Sequence, residues 1–516
     1  MEVVLLTLLV VSSVLIVLWA LKTVYWLWLK PMKMKKYLKK QGIDGPSYKL
    51  FYGNLKELVM MTKKARSKPM ELSHHITPRL LPFEDQAVKT YGKMFVSWIG
   101  PTPRVNIMDP ELIREILSNK FGHFEKIKSN PIVGLLAKGL ANYDGEKWVK
   151  HRRIINPAFH QEKLKMMLPA FYACCSELVE KWQKLASPEP CEVDVWPYLQ
   201  NLTADVISRT AFGSSYEEGR RIFELQMEQA KLLIETLRTI YIPGFRFLPT
   251  RRNRRMKEIF KEVCTLLRVM IEKREKAMEL GKASTDDLLG ILMDSNYKEV
   301  KAGGDAKKLG MSIDDVMEEC KLFYIAGQET TSTLLVWTMI VLSMHPEWQV
   351  KAREEVLQFF GREKPESEGL NRLKVVTMIL NEVLRLYPPG LMLTRVTYKE
   401  MELGNVRIPP EVELAMPILL VQHDRELWGE DAEEFNPERF SEGISKATKN
   451  QVSFFPFGWG PRICMGQGFA LTEAKMALAM ILQNFSFELS PTYTHAPFTI
   501  LTLQPQYGAP LILHKL

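Results

Sequence analysis

The sequence has no CxxC pair, no HExxH and no other close set of cysteines and histidines, so nothing in it spells out a four-ligand zinc site. Its six cysteines, at 174, 175, 191, 264, 320 and 464, are too scattered for a secreted disulfide framework, and the adjacent pair cannot bridge easily. They read as reduced thiols. Between residue 46 and the end there is no Gly/Ser-rich linker, repeat or low-complexity tract. A chain of 516 residues would ordinarily suggest about three or four domains, but this continuity and the 46% hydrophobic content point to one large unit with a sizeable core. The net charge of +9 is not a nucleic-acid signature, because Lys30, Lys33, Lys35, Lys36, Lys39 and Lys40 crowd into one short segment. His74, His75 and His423 belong to no ligand pattern and read as structural.

What is present begins at the N-terminus. Val3 to Ala20 carries no charge, has no A-x-A cleavage site and is followed by Tyr25, Trp26 and Trp28, then by the lysines. That order predicts a retained membrane span with an interfacial aromatic belt and the lysines on the cytosolic side. The expected organisation is an anchor at 1–29, a basic and Pro/Gly linker at 30–46, and a main domain at 47–516. Pro31 and the Gly45-Pro46 turn are expected to free that domain from the anchor.

Within the main domain, Met94 to Ile99 and Arg104 to Ile107 alternate like short strands, and Leu403 to Met416 reads as a hairpin-like stretch. Helical patterns dominate elsewhere. A mainly α fold with a smaller β region is expected. The longest helical pattern opens at Ser312, with acids at Asp314 and Asp315, and closes at His345-Pro346. A helix of about 32 residues is roughly 48 Å long, enough to cross a domain. Its stripe of Val316, Cys320, Phe323, Gly327, Leu334, Thr338 and Val341 predicts burial.

Cys464 sits in Phe457-Gly458-Trp459-Gly460-Pro461-Arg462-Ile463-Cys464-Met465-Gly466. At roughly 5% usage per residue type, F-x-x-G-x-R-x-C-x-G arises by chance in about one chain of this size in ten thousand. The glycines allow a tight turn that brings backbone N–H groups to a sulfur, and Gln467 to Asn484 reads as a helix starting just beyond it. A thiolate so placed, without a Cys or His partner, suits a single axial bond to haem iron.

At these residues the chain resembles the cytochromes P450, the haem-thiolate monooxygenases, and the resemblance runs over essentially its whole length. Three further motifs carry it. Glu382-Val383-Leu384-Arg385 is weak alone, since Glu217/Arg220, Glu218/Arg221 and Glu235/Arg238 share its spacing and read as solvated pairs. Tyr387-Pro388-Pro389 and Pro437-Glu438-Arg439-Phe440 lift it, and the resemblance implies a buried network of Glu382, Arg385 and Arg439. In Ala326-Gly327-Gln328-Glu329-Thr330-Thr331, a glycine, an acid and two hydroxyls interrupt an apolar helix. They read either as a packing glycine with a satisfied threonine or, as the resemblance implies, as an oxygen-binding groove in which Thr330 and Glu329 relay protons. In Trp148-Val149-Lys150-His151-Arg152-Arg153, Trp148 and Arg152 share a helix face while Lys147, Lys150 and Arg153 point the other way.

The resemblance implies haem b held by Cys464, with Trp148, Arg152, Arg395 and Arg462 toward its propionates and Ala326, Gly327, Phe457, Ile463 and Gly466 around it. It also implies electrons from NADPH through a cytochrome P450 reductase, with cytochrome b5 as an optional second donor, and a cytosolic domain on the endoplasmic reticulum membrane. The outward lysines read either as a solvated face or as a reductase-docking surface. Two other functions stay open: a membrane-anchored haem or ligand-binding protein without turnover, and a donor-independent peroxide-rearranging enzyme. Gly42 to Tyr48, Tyr493 to Ile500 and Leu503 to Gly508 resemble the plant microsomal group that includes secologanin synthase and several triterpenoid oxidases, which implies a small lipophilic, terpenoid-type substrate. Expected pocket segments are Phe121 to Ala141, Ile234 to Gly244, Phe323 to Thr330, Gly390 to Thr394 and Thr499 to Leu503.

Overall fold

The computed structural model describes residues 2–118, 123–127, 131–239, 247–282, 287–301, 310–449 and 452–516. Helices dominate, and the helix Ile313–Met344 crosses the centre of the main domain. A capping box fixes its start: the Asp315 N–H donates to the Ser312 hydroxyl at 3.1 Å, and the Asp315 carboxylate accepts from the Ser312 N–H. His345 ends it, and Pro346 begins the next helix. Val316, Cys320, Phe323, Leu334, Thr338 and Val341 are all buried, as their spacing predicts. Gly327 has a packing reason too. A Cβ there would lie 2.5 Å from Ile207 Cγ1, so its bare backbone lets the helix Val195–Phe212 approach closely.

The β structure lies at the periphery. Five strands pair in the order Met94–Ile99, Thr102–Ile107, Glu413–Met416, Leu393–Thr397, Phe124–Glu125. The stretch Leu403 to Met416 is not one hairpin: Met401–Leu403 pairs with Val406–Ile408, whereas Glu413–Met416 lies parallel to Thr102–Ile107 and antiparallel to Leu393–Thr397. Pairing with distant strands buries Leu414 and Met416, which a local hairpin would leave at an edge.

The expected break at Pro31 is replaced by a continuous helical path. Glu2–Val24 passes through a π-helical turn at Tyr25–Leu29 into Lys30–Lys40. Proline is tolerated in the first turn of that last helix, where its missing N–H costs little. The segment after the apolar helix is also tied down: the Tyr48 hydroxyl donates to Leu27 O at 2.6 Å, Lys30 pairs with Glu411, and Leu38 and Ile43 enter the core. The apolar side chains from Val4 to Leu18 are exposed, and by length and composition this helix is a candidate membrane span.

The Glu382 network forms as expected. Arg385 makes two bonds to the Glu382 carboxylate, at 2.8 and 2.7 Å, with both side chains fully buried. Arg439 Nε reaches Glu382 Oε1 at 3.3 Å and also donates to backbone carbonyls. Its place is structural, since the remaining Arg385 donors hold the carbonyls of Gln422, Ala432 and Glu434. His74, bonded to Tyr387 and His345, and His423, bonded to Leu386 O, are structural as well.

Candidate active site

Cys464 lines a cavity of about 380 Å³ formed by the long helix, the thiolate loop and the helix Gly145–Ile155. The loop turns at Gly458 and Gly460, with φ of 74° and 70°, and a Cβ on Gly460 would meet Leu117 O at 2.3 Å. The Cys464 N–H donates to Phe457 O at 2.8 Å, and Arg152 Nη1 donates to Ile463 O at 2.9 Å. Gly466 caps the helix Gln467–Asn484. Burial raises the Cys464 pKa, while the Gly466 backbone N–H and the Arg152 charge pull it down. Among the described residues no group of three or more His, Cys, Asp or Glu is placed to hold a metal ion.

One end of the cavity gathers cations. Lys126, Arg152, Arg395 and Arg462 line it together with Trp148. Arg462 lies over the Trp148 ring, 4.6 Å from its centroid, and pairs with Asp144. Burial and the neighbouring Arg462 charge lower Arg395 to about 10, and burial with Arg395 and Arg462 lowers Lys126 to about 7. Such crowding beside one acid calls for an anionic partner. Haem fits: its flat apolar body matches the rest of the lining, its propionates match the cations, and its iron matches Cys464. Lys126 and Asp144 were not legible in the sequence, because neither sits in a distinctive pattern.

The opposite wall comes from the long helix. Ala326, Gly327, Thr330, Thr331 and Leu334 line the cavity, and the Thr330 hydroxyl donates to Ala326 O at 2.7 Å. Glu329 does not line it. Its buried carboxylate accepts from Thr502 Oγ1 at 3.0 Å and Gln504 Nε2 at 2.7 Å, and burial raises its pKa against the effect of those bonds. The expected pocket segments divide. Phe323 to Thr330 and Gly390 to Thr394 contribute to this cavity, as do Lys126, Leu140 and Ala141 from Phe121 to Ala141. Ile234, Thr499 and Ile500 line a different cleft, and residues 121, 122, 128–130 and 240–244 lie outside the described residues.

The Trp148 helix differs from expectation on one point. Lys147 does not face away: it pairs with Asp315 at 2.7 Å, one turn before His151, whose Nδ1 meets Glu319 Oε1 at 2.6 Å. Two interhelical pairs, one turn apart on each helix, thus lock this helix to the long one, and the matching i,i+4 spacings of Lys147/His151 and Asp315/Glu319 were the available signal. Lys150 is half-buried and Arg153 is exposed.

These features define a haem-thiolate site on a mainly helical fold. The family model for cytochrome P450 matches residues 78–510, and the chain belongs to the cytochrome P450 family, whose members carry haem-thiolate iron and act as monooxygenases. It is 64% identical over 493 residues to cytochrome P450 CYP72A616 of Paris polyphylla, covering 95% of each chain. It is 60% identical over 499 residues to cytochrome P450 72A397 of Kalopanax septemlobus and 57% over 500 residues to cytochrome P450 72A15 of Arabidopsis thaliana, covering 96% of each chain in both cases.

Proposed function

We propose that this chain is a monooxygenase of the endoplasmic reticulum membrane that inserts oxygen from O2 into a C–H bond of a lipophilic, terpenoid-type molecule, with electrons from NADPH supplied through a cytochrome P450 reductase. The observation that carries this reading is the cavity itself, whose mostly apolar lining includes both the Cys464 thiol and the Thr330 hydroxyl, with a cluster of cations. Haem bound there supplies oxygen activation, and thiolate donation favours O–O cleavage.

The chain's own residues orient and protonate. Cys464 holds the iron, while Trp148, Arg152, Arg395, Arg462 and Lys126 hold the propionate edge. Phe457, Ile463 and Gly466, with Ala326 and Gly327, line the same cavity and would pack against the bound haem. Thr330 Oγ1 donates its hydrogen to Ala326 O and offers its lone pairs to a water on the cavity wall, and that water would carry the proton into the cavity. Glu329 holds a proton more readily than a free carboxyl and stands behind that wall, steadied by Thr502 and Gln504. The exposed lipid-length helix supports a single-pass anchor with the main domain on the cytosolic, lysine-rich side. The terpenoid substrate class rests on the resemblance of the N-terminal and C-terminal segments to the plant microsomal group. Microsomes carrying this chain and a reductase, supplied with NADPH and a panel of terpenoids, should give at least one oxygenated product; NADPH consumption without product across the panel would refute the terpenoid assignment.

A further inference from the structure

A second cleft, of about 750 Å³, opens between the helix Leu55–Ala65, the end of the helix Tyr216–Leu237 and the hairpin Pro497–Thr499/Leu503–Pro505. None of its lining residues also lines the haem cavity. Leu58, Leu80, Ile234 and Phe498 give it apolar walls, while Lys63, Arg66, Lys231 and Arg238 face it with two acids, Glu84 and Glu235. Burial raises the Glu84 pKa, which weakens its value as a counter-charge.

Arg66 is the informative residue. Its Nη1 donates to Thr499 O at 3.1 Å and its Nη2 to Thr499 Oγ1 at 2.6 Å, but its Nε–H has no acceptor. Arg79, buried behind it, spends its donors on the carbonyls of Pro497 and Ala65 and on Gln506 Oε1. Among the described residues no carboxylate pairs with Arg66. The charges that act on it are those of Arg238 and Arg79, which with burial lower its pKa to about 10. A partly buried guanidinium beside two others, with no carboxylate paired to it, is stabilised when an anion joins it.

We infer that this cleft binds a lipophilic carboxylic acid, with its carboxylate between Arg66 and Arg238 and its apolar body against Leu58, Ile234 and Phe498. The inference deepens the proposed function, on which it rests, by making the preferred lipophile an acid. It also ties the cleft to the haem wall: the hairpin that offers Thr499 to Arg66 offers Thr502 and Gln504 to Glu329.

The test uses the haem-loaded full chain in phosphatidylcholine nanodiscs, titrated calorimetrically with dodecanoic acid and with its methyl ester, empty nanodiscs being subtracted. The acid should bind at least tenfold more tightly than the ester. Arg238→Gln, at an exposed position, should remove that preference while ester affinity and the carbon monoxide spectrum stay unchanged; Arg66→Gln should do the same if it folds. Equal affinity for acid and ester, or a preference that survives Arg238→Gln, overturns the inference. Loss of acid binding when the nanodiscs contain phosphatidylglycerol would identify a lipid headgroup as the anion and overturn it as well. None of these readouts depends on product formation, so the terpenoid monooxygenase assignment stands or falls separately in the product screen.

Discussion

His151 Nδ1 lies 2.6 Å from Glu319 Oε1, with both side chains shut off from water, and this contact joins the helix that carries Trp148 and Arg152 to the helix that carries Thr330. Glu319 Oε2 also accepts from the Leu140 N–H at 3.0 Å. Removing one partner strands the other in the core. His151→Leu should therefore cost about 3–5 kcal/mol, read as a lower denaturation midpoint. The double variant His151→Leu/Glu319→Leu should recover a large part of that loss; equal loss in the single and double variants would mean the pair itself is not the cause.

Cys464→Ser should abolish the thiolate-type Soret band of the ferrous carbon monoxide complex. The cation end of the cavity still offers a place for the propionates, so some haem should remain. Retention of the thiolate band would place the iron ligand elsewhere.

Thr330→Ala removes the hydroxyl on the cavity wall but none of the groups that bind haem. NADPH oxidation should continue while yield shifts from oxygenated product to hydrogen peroxide. Glu329→Gln should mainly slow turnover, because it removes the group proposed to hold a proton behind that wall, where its carboxylate meets Thr502 and Gln504. Full coupling in Thr330→Ala would make the hydroxyl a packing feature and move attention to Thr331, which shares the wall.

Charge reversal at Lys150 and Arg153 should slow reduction by the reductase without altering substrate-binding spectra. Lys147 is left out, because it is engaged with Asp315. The effect should fade with salt, as the Debye length falls from about 10 Å at 0.1 M to about 3 Å at 1 M. An unchanged reduction rate at low salt counts against a docking surface here.

Burial lowers His423 to about 3, and the nearby Arg385 charge adds to the shift. The unfolded chain takes up a proton near the ordinary histidine pKa of about 6.5, whereas the folded chain does so only near the lowered value. Stability is therefore lost as pH falls below the ordinary value, on the order of 2 kcal/mol between pH 7 and pH 5 from this one group. His423→Gln should flatten that part of the acid denaturation curve; an unaltered slope would show that His423 is not a source of acid sensitivity.

Much of this protein is local in sequence. The ends of Ile313–Met344 follow from a cap and a proline, Gln467–Asn484 from its helical pattern, and the strand Met94–Ile99 from alternation. The loop around Cys464 is legible because a turn needing positive φ at two glycines leaves few other residues at those positions. The Glu382, Arg385 and Arg439 network was legible through resemblance, since i,i+3 spacing alone also marks exposed pairs such as Glu217 with Arg220.

What only the tertiary structure decided depends on which distant segments share a volume. Sequence spacing placed Glu329 beside Thr330, but adjacent helix positions point about 100° apart, and packing sent the carboxylate to the C-terminal hairpin. Lys147 looked solvated until Asp315 arrived from the long helix, and the linker after the anchor looked free until Leu38 and Ile43 found the core. Lys126 joins Arg395 and Arg462 from separate strands and loops, a gathering of charge that no single segment announces. Local propensity and motif chemistry set the elements and the turn that carries Cys464, whereas burial and charge pairing across the fold set where each remaining polar group points.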